Sequence, residues 1–328
     1  MFDYRPKMFN EASRSHASKN IIVIILCFIV FMIVAVLLES IIPSAISAKP
    51  MLEEMENQGY LESSEQFGLA ESMEIATKVS SSPKIMLASL YSTMFGTLAA
   101  IFYCRCVEMR PVRSMGARKK RFFTHYLTGI IVGLVLMSAI ALLSAAFGIT
   151  RLNLRSDIDF GLIFLFLLGF IVQGMSEEFI FRGYFMVTIG GSGKKTYIAV
   201  AISAVGFALA HASNPGFGVL PFINLTLYGV FAALYLIFFD NIWGISAIHS
   251  IWNFAQGNIY GISVSGSGDT ESVLISTPLS SHDFLTGGKF GIEGSLITTL
   301  VLCIGTALLL YAFSKKKPIA EEIAAENV

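Results

Sequence analysis

Long apolar segments constrain the fold of this chain more than any other feature. A helix needs ~20 apolar residues to cross the hydrocarbon core of a bilayer. Because irregular backbone cannot face lipid, the pattern predicts an all-α, polytopic transmembrane helical bundle with about eight spans. The candidate spans are residues 21–42, 85–104, 126–148, 160–188, 196–213, 219–239, 241–260 and 291–313.

Charged residues are scarce, which agrees with lipid as the solvent. They make up 14% of the 328 residues, whereas a soluble domain carries roughly 25%. The net charge is zero, so the charge balance predicts no nucleic-acid partner. The cysteines follow no zinc or disulfide spacing, and we interpret them as ordinary residues, with palmitoylation of Cys104 or Cys106 as the alternative. They are Cys27, Cys104, Cys106 and Cys303.

The distribution of charge between the loops predicts the orientation of the bundle. Basic residues gather in the N-terminal segment, at 105–121, after the fourth span and at the start of the C-terminal tail. The opposite loops are an acidic stretch at 44–84, either a short surface helix or disordered, and a Gly/Ser-rich stretch at 261–289. Cytoplasmic loops are enriched in Lys and Arg. We therefore expect both termini in the cytoplasm, and a multi-pass protein of a cell membrane, typical of a bacterial plasma membrane.

Two adjacent carboxylates, Glu177 and Glu178, lie inside the fourth apolar run. Ionisable side chains within a membrane are costly and mark functional sites. Arg182 follows Glu178 by four residues, so the two share a helix face and are expected to pair. This leaves Glu177 available as a general base. An ion pair at the membrane interface is the alternative, but it leaves Glu177 without a partner.

Two histidines lie in later apolar runs. His211 shortly precedes Asn214 and a proline, which should end the helix, so His211 is expected on the last turn. His249, Asn253 and Gln256 share one stripe of a helix, which must face protein or water. The alternatives are an interfacial histidine and hydrogen bonds between helices. Combined with the carboxylates, these groups supply water activation and oxyanion stabilisation.

The ordered set of motifs resembles that of the CAAX prenyl protease and bacteriocin-processing (CPBP, or Abi) family of intramembrane proteases. The resemblance extends over roughly residues 125–260, and it implies a helical core whose conical cavity opens within the membrane. It assigns water activation to Glu177 and His211, ordering of that carboxylate to Glu178 with Arg182, and the oxyanion to His249 and Asn253. The motifs are Glu177-Glu178-x-x-x-Arg182, Phe207-x-x-x-His211 and His249-x-x-x-Asn253.

By this resemblance the chain would be a CAAX-type intramembrane endopeptidase that cuts a small or membrane-associated peptide or protein. The resemblance leaves both a zinc-dependent metalloprotease and a glutamate-dependent protease open. If zinc binds, its expected ligands are Glu177, His211 and His249, with water in the fourth position. Without a metal, Glu177 acts directly as the base. Metal-free chemistry is favoured because the usual helical pair of histidines four residues apart is absent.

The sequence predicts three regions. They are an N-terminal helix pair with its loops (1–124), a catalytic core (125–260), and a C-terminal region with the last helix (261–328). Two other functions are open: a non-catalytic membrane regulator or bacteriocin-immunity protein that contacts a regulatory membrane partner, and an ion-coupled transporter. The transporter predicts inverted repeats, which the sequence lacks.

Overall fold

The computed structural model describes residues 4–60 and 68–315, which are mostly helical. The predicted all-α membrane bundle is therefore confirmed as a fold class. The predicted runs at 196–213 and 241–260 form shorter helices, and the expected total of eight spans stays a prediction. Within the described residues, six helices are long and apolar enough to cross a membrane: Ile21–Asn57, Pro83–Val107, Phe122–Ala146, Phe160–Gly191, Val219–Phe239 and Leu296–Lys315.

The N-terminal helices extend into the predicted acidic loop. They are α1 (Lys7–Ala12), α2 (Ile21–Asn57), α3 (Leu69–Ser80), α4 (Pro83–Ser92) and α5 (Met94–Phe102), and a π-helical turn, Tyr103–Val107, follows α5. The helix α2 continues past the predicted end at residue 42, and Ile46 in this extension packs against an apolar cluster formed by Ile75, Val79 and Ile85. Glu62 and Glu65 of the acidic loop lie outside the described residues, as does the C-terminal tail from residue 316.

The remaining elements surround the region that carries the motifs. The helix α7 begins where the Asp159 side chain accepts a hydrogen bond from the Leu162 amide, and α11 where Asn241 caps Trp243 in the same way. The elements are α6 (Phe122–Ala146), β1 (Thr150–Leu154), α7 (Phe160–Glu178), α8 (Val187–Gly191), α9 (Thr196–Ala210), α10 (Val219–Phe239), α11 (Ile242–Phe254), β2 (Leu274–Pro278), α12 (Asp283–Thr286) and α13 (Leu296–Lys315). Short segments are π-helical at Phe179–Met186 and Ala255–Ile259, and 3-10 at Val112–Met115, Gly288–Phe290 and Ile292–Gly294.

A small antiparallel sheet, which the sequence did not predict, ties the Gly/Ser-rich loop to the loop after α6. Its strands β1 and β2 pair with Thr150 opposite Pro278. The last helix also differs from its predicted start at residue 291. It begins at Leu296, because Ile292–Gly294 form a tight 3-10 turn before it.

Glycines allow α6 and α7 to pack closely against α11. A Cβ atom at Gly174 of α7 would lie 2.6 Å from the Ser250 amide nitrogen of α11, and one at Gly133 of α6 would lie 2.6 Å from the Ile248 carbonyl oxygen. Small residues at such contacts let helix backbones approach in a membrane. The close packing fixes the helix that carries His249 against the helix that carries Glu177.

Polar contacts gather the basic segments at one end of the bundle. Arg118 forms ion pairs with Glu11 (3.0 Å) and Asp240 (2.9 Å), and the Tyr4 ring contacts the Phe313 ring. Burial raises the pKa of the Asp240 carboxyl above its ordinary value, and the Arg118 hydrogen bond opposes that shift. The N-terminal segment, the 105–121 loop and the end of α13 therefore lie close to one another, whereas the side of the membrane that they face stays a prediction.

A second ion pair fastens the 105–121 loop to the π-helical segment after α7. Arg110 pairs with Glu108, and both side chains are buried. Arg110 also donates hydrogen bonds to the carbonyl oxygens of Gly183 (3.2 Å) and Tyr184 (3.4 Å). The guanidinium thus supplies donors to backbone carbonyls at the segment that contains Arg182.

Candidate active site

Glu178 is fully buried and paired, as its spacing from Arg182 predicted. Its Oε1 atom lies 3.2 Å from Arg182 Nη1 and accepts a hydrogen bond from His249 Nδ1 at 2.8 Å. Arg182, also fully buried, stacks on the Phe207 ring with its guanidinium carbon 4.3 Å from the ring centroid. These contacts join α7, α9 and α11 through one buried charge cluster.

Glu177 is the free carboxylate of the pair. Its Oε1 atom accepts a hydrogen bond from Gln173, one turn earlier on α7. Its Oε2 atom makes no hydrogen bond within the described residues and lies 3.7 Å from His249 Nε2. The side chain as a whole keeps about a fifth of its surface exposed (21%), whereas Oε2 itself is buried and has no hydrogen-bond partner within the described residues.

His211 immediately follows the last residue of α9, close to its predicted position on the final turn. Its Nδ1 atom lies 2.9 Å from the Phe207 carbonyl oxygen. A carbonyl only accepts hydrogen bonds, so this contact assigns the proton to Nδ1. In the neutral ring Nε2 then has a free lone pair, which can accept a proton from water.

His249 and Asn253 lie one turn apart on α11 and face the same site. The Nδ1 atom of His249 donates to Glu178, which turns Nε2 toward Glu177. The Nδ2 atom of Asn253 donates to Gln173 Oε1 at 3.0 Å. An amide nitrogen has two protons, so Asn253 keeps one donor for a ligand.

A cavity of about 180 Å³ brings these groups together. Glu177, His211, His249 and Asn253 all line it, whereas Glu178 and Arg182 lie behind its wall. Other polar residues on the lining are Gln173, Asn214, Asn224, Tyr228, Ser265, Ser267, Glu293 and Thr298. The shared cavity therefore contains carboxylate, imidazole and amide groups among apolar helices.

Gln256 does not line this cavity, although the sequence placed it on the same stripe as His249. The helix α11 becomes π-helical from Ala255, and the wider turn changes the direction of the next side chain. Gln256 instead donates to the Ser263 carbonyl oxygen at 2.6 Å and to Glu293 Oε2 at 3.2 Å. It anchors the Gly/Ser-rich loop.

Asn224, Tyr228 and Glu293 are among the polar residues of the lining that sequence reasoning missed. Asn224 and Tyr228 are four residues apart on α10, and this spacing could have identified them, as it did His249 and Asn253. Glu293 lies within the predicted last span. A carboxylate there is the kind of exception that marks a functional site, so Glu293 could have been found by the same rule.

The expected zinc ligands do not form a ligand set as they are placed. Within residues 4–60 and 68–315, no group of three or more His, Cys, Asp or Glu side chains could hold a metal ion. Glu177 and His249 approach to 3.7 Å, and His211 directs Nδ1 to its own helix.

Residues 159–255 match the family model described as type II CAAX prenyl endopeptidase Rce1-like. The match lies inside the predicted core, 125–260, and includes both histidines and both glutamates of the site. No curated protein and no solved structure matches the chain. This segment is therefore similar to Rce1-like domains, consistent with the CPBP family.

Proposed function

We propose that this chain, whose residues 159–255 match the Rce1-like family model, is an intramembrane endopeptidase. Its substrate is a small or membrane-associated peptide or protein, and its location is a cell membrane, bacterial by its charge bias. One observation carries the proposal: Glu177, His211, His249 and Asn253 line a single cavity among apolar helices. Glu177 and His211 each offer a lone pair that can accept a proton from water. His249 and Asn253 each offer a hydrogen-bond donor to an oxyanion.

Glu177 and His211 activate the attacking water. Glu177 Oε2 has no hydrogen-bond donor within the described residues, and His211 Nε2 has a free lone pair when Nδ1 donates to Phe207. A water between them gives up a proton as its oxygen attacks the substrate carbonyl carbon. The same proton then passes to the leaving amine, which completes hydrolysis.

His249 and Asn253 stabilise the negative oxygen of the tetrahedral intermediate. Asn253 offers its second amide proton, and a protonated His249 offers Nε2–H. Glu177 and Glu178 together carry two negative charges, which Arg182 and an imidazolium at His249 balance. Because donors in a dry site are worth more than donors in water, this arrangement favours the transition state.

We propose that the reaction proceeds without a metal, with Glu177 as the direct base. The arrangement of the expected ligands supports this, because they form no three-ligand group. A chelator should therefore leave peptide hydrolysis unchanged. Loss of activity with a chelator, restored by added zinc, would instead assign Glu177, His211 and His249 to a metal.

The test compares purified wild type in detergent with Glu177→Gln and His211→Asn on a peptide library, with and without chelator. We expect each change to lower kcat/KM by ~10²–10⁴-fold, because each removes a proton acceptor. Glu56→Gln and His282→Asn make the same chemical changes at exposed positions outside the cavity. These controls should cleave at the wild-type rate.

Equal cleavage by wild type and the two site variants would contradict the proposal. A wild type that folds but cleaves no member of the library would contradict it too. That second result favours a non-catalytic membrane regulator or immunity protein on the same scaffold, which would then be sought through its regulatory partner.

A further inference from the structure

Glu293 is a second carboxylate in the same cavity, and the proposed chemistry does not use it. It lies in the 3-10 turn Ile292–Gly294, before α13 and outside the Rce1-like segment. Only 7% of the residue is exposed, yet it lines the cavity together with Glu177. A buried carboxylate that faces a cavity needs a physical reason.

One oxygen of Glu293 has a structural role. Its Oε2 atom accepts hydrogen bonds from the Ser265 amide (2.8 Å), the Ser265 hydroxyl (2.8 Å) and Gln256 Nε2 (3.2 Å). Oε1 makes no hydrogen bond within the described residues. The fully buried polar atoms of these residues that have no hydrogen-bond partner do not include Oε1. This oxygen therefore retains accessible surface in a residue that lines the cavity.

No cation of the described chain accompanies this carboxylate. None of its Lys, Arg or His nitrogens lies within 4.0 Å of Glu293. Two other buried carboxylates have such partners: Glu108 has Arg110, and Glu178 has both Arg182 and His249. Because an unpaired buried charge is costly, the site is complementary to a cation that arrives from outside.

We propose that Glu293 binds a cationic group of the peptide substrate, next to the bond that Glu177 attacks. The group is a Lys or Arg side chain or a free α-amine. The cavity, about 180 Å³, equals ~6 water volumes at ~30 Å³ each, so the charged group and the scissile bond lie close together. Leu225 and Leu302 also line it and provide an apolar wall for an aliphatic stem.

This inference rests on the proposed function, and its test uses matched pairs of peptides. The pairs are lysine against Nε-acetyl-lysine, arginine against citrulline, and a free against an acetylated N-terminus, at positions flanking the cleaved bond. The proteins are wild type, Glu293→Gln and the exposed control Glu56→Gln. We measure kcat/KM, and we measure binding of the uncleaved peptides in a Glu177→Gln background.

Wild type and Glu56→Gln should prefer one charged peptide over its neutral partner by ~10- to 100-fold, the size of a charge-assisted hydrogen bond. The pair that shows the preference identifies the source of the charge. Glu293→Gln should abolish the preference, so that it cleaves each charged peptide and its neutral partner with the same kcat/KM.

Two results would overturn the inference while proteolysis stands. One is equal cleavage of charged and neutral peptides by wild type. The other is an equal loss on every peptide in Glu293→Gln, which would reduce Glu293 to an anchor of Ser265. If no peptide is cleaved, the proposed function fails, and the binding arm still decides whether Glu293 selects the cation.

Discussion

At the residue scale, the two adjacent carboxylates of the site differ in their neighbours, because Glu178 pairs with Arg182 and Glu177 does not. Glu178 is held by Arg182 at 3.2 Å and by His249 at 2.8 Å. These contacts position the His249 ring, whose Nε2 atom then faces Glu177. In the proposed mechanism, Glu178 and Arg182 act through His249, and Glu177 contacts the reacting water.

Asn253→Ala should lower kcat by ~10²–10³-fold, because it removes an oxyanion donor. KM should change little, since the interaction forms mainly in the transition state. Steady-state kinetics on the best library peptide measure both constants. Asn153→Ala, an exposed change on β1, is the control and should behave as wild type. An unchanged kcat for Asn253→Ala would remove Asn253 from the oxyanion site.

At the element scale, the two helices that carry the proposed catalytic residues become π-helical next to those residues. The helix α7 becomes π-helical at Phe179, directly after Glu178, and α11 becomes π-helical at Ala255, shortly after Asn253. Short π-helical segments are rare in proteins overall, but those that occur are often found at functional sites. Here the second segment turns Gln256 toward the Gly/Ser-rich loop, so the helix both lines the cavity and anchors its rim.

Gly174→Ala should loosen the contact between α7 and α11, because its methyl group would meet the Ser250 backbone. Overpacking of this kind costs about 1–3 kcal/mol. We expect a lower Tm in detergent and slower peptide hydrolysis, since Glu178 and His249 meet across this contact.

Gly305→Ala on α13 is the matched control for this helix contact. Its nearest neighbour, an atom of the Phe231 ring, would lie 3.4 Å from the new carbon, an ordinary contact. Its Tm should equal or exceed that of wild type, because alanine is the better helix former. If both variants keep the wild-type Tm and activity, the close approach of the helices at Gly174 does not contribute to the stability of the protein.

At the scale of the whole molecule, the cavity is not confined to the matched segment. Leu90 of α4, Ser265 of the Gly/Ser-rich loop, Glu293 and Leu302 of α13 all line it. The predicted core, 125–260, therefore contains the motifs but not the complete cavity. The regions outside the core complete the walls where a substrate would bind.

The charge of the loops predicts which end of the bundle faces the cytoplasm. In a chain without its native cysteines, Ser281→Cys should react with an impermeant maleimide in intact cells. Lys119→Cys should react only after permeabilisation. Both positions are exposed on the protein surface, so a difference in labelling cannot come from burial of one of them. Labelling of both from the same side would contradict the predicted topology.

The sequence alone determined the membrane bundle and most helix positions, because apolar runs of bilayer length leave the backbone few alternatives. It also determined the Glu178–Arg182 pair, since a spacing of four on a helix is a local property. The run at 219–239 was predicted to the residue, whereas the last helix was predicted five residues early.

Only the tertiary structure decided which helices share a cavity. Contacts such as that between His249 and Glu178 join residues far apart in the chain, and no local period encodes them. The same holds for Ser265, which lies in a stretch that the sequence predicts as a plain connection, and for Glu293, which lies in the predicted last span. Their roles depend on how the Gly/Ser-rich loop folds back over α11. This fold depends on packing between helices and not on the sequence pattern of any single helix.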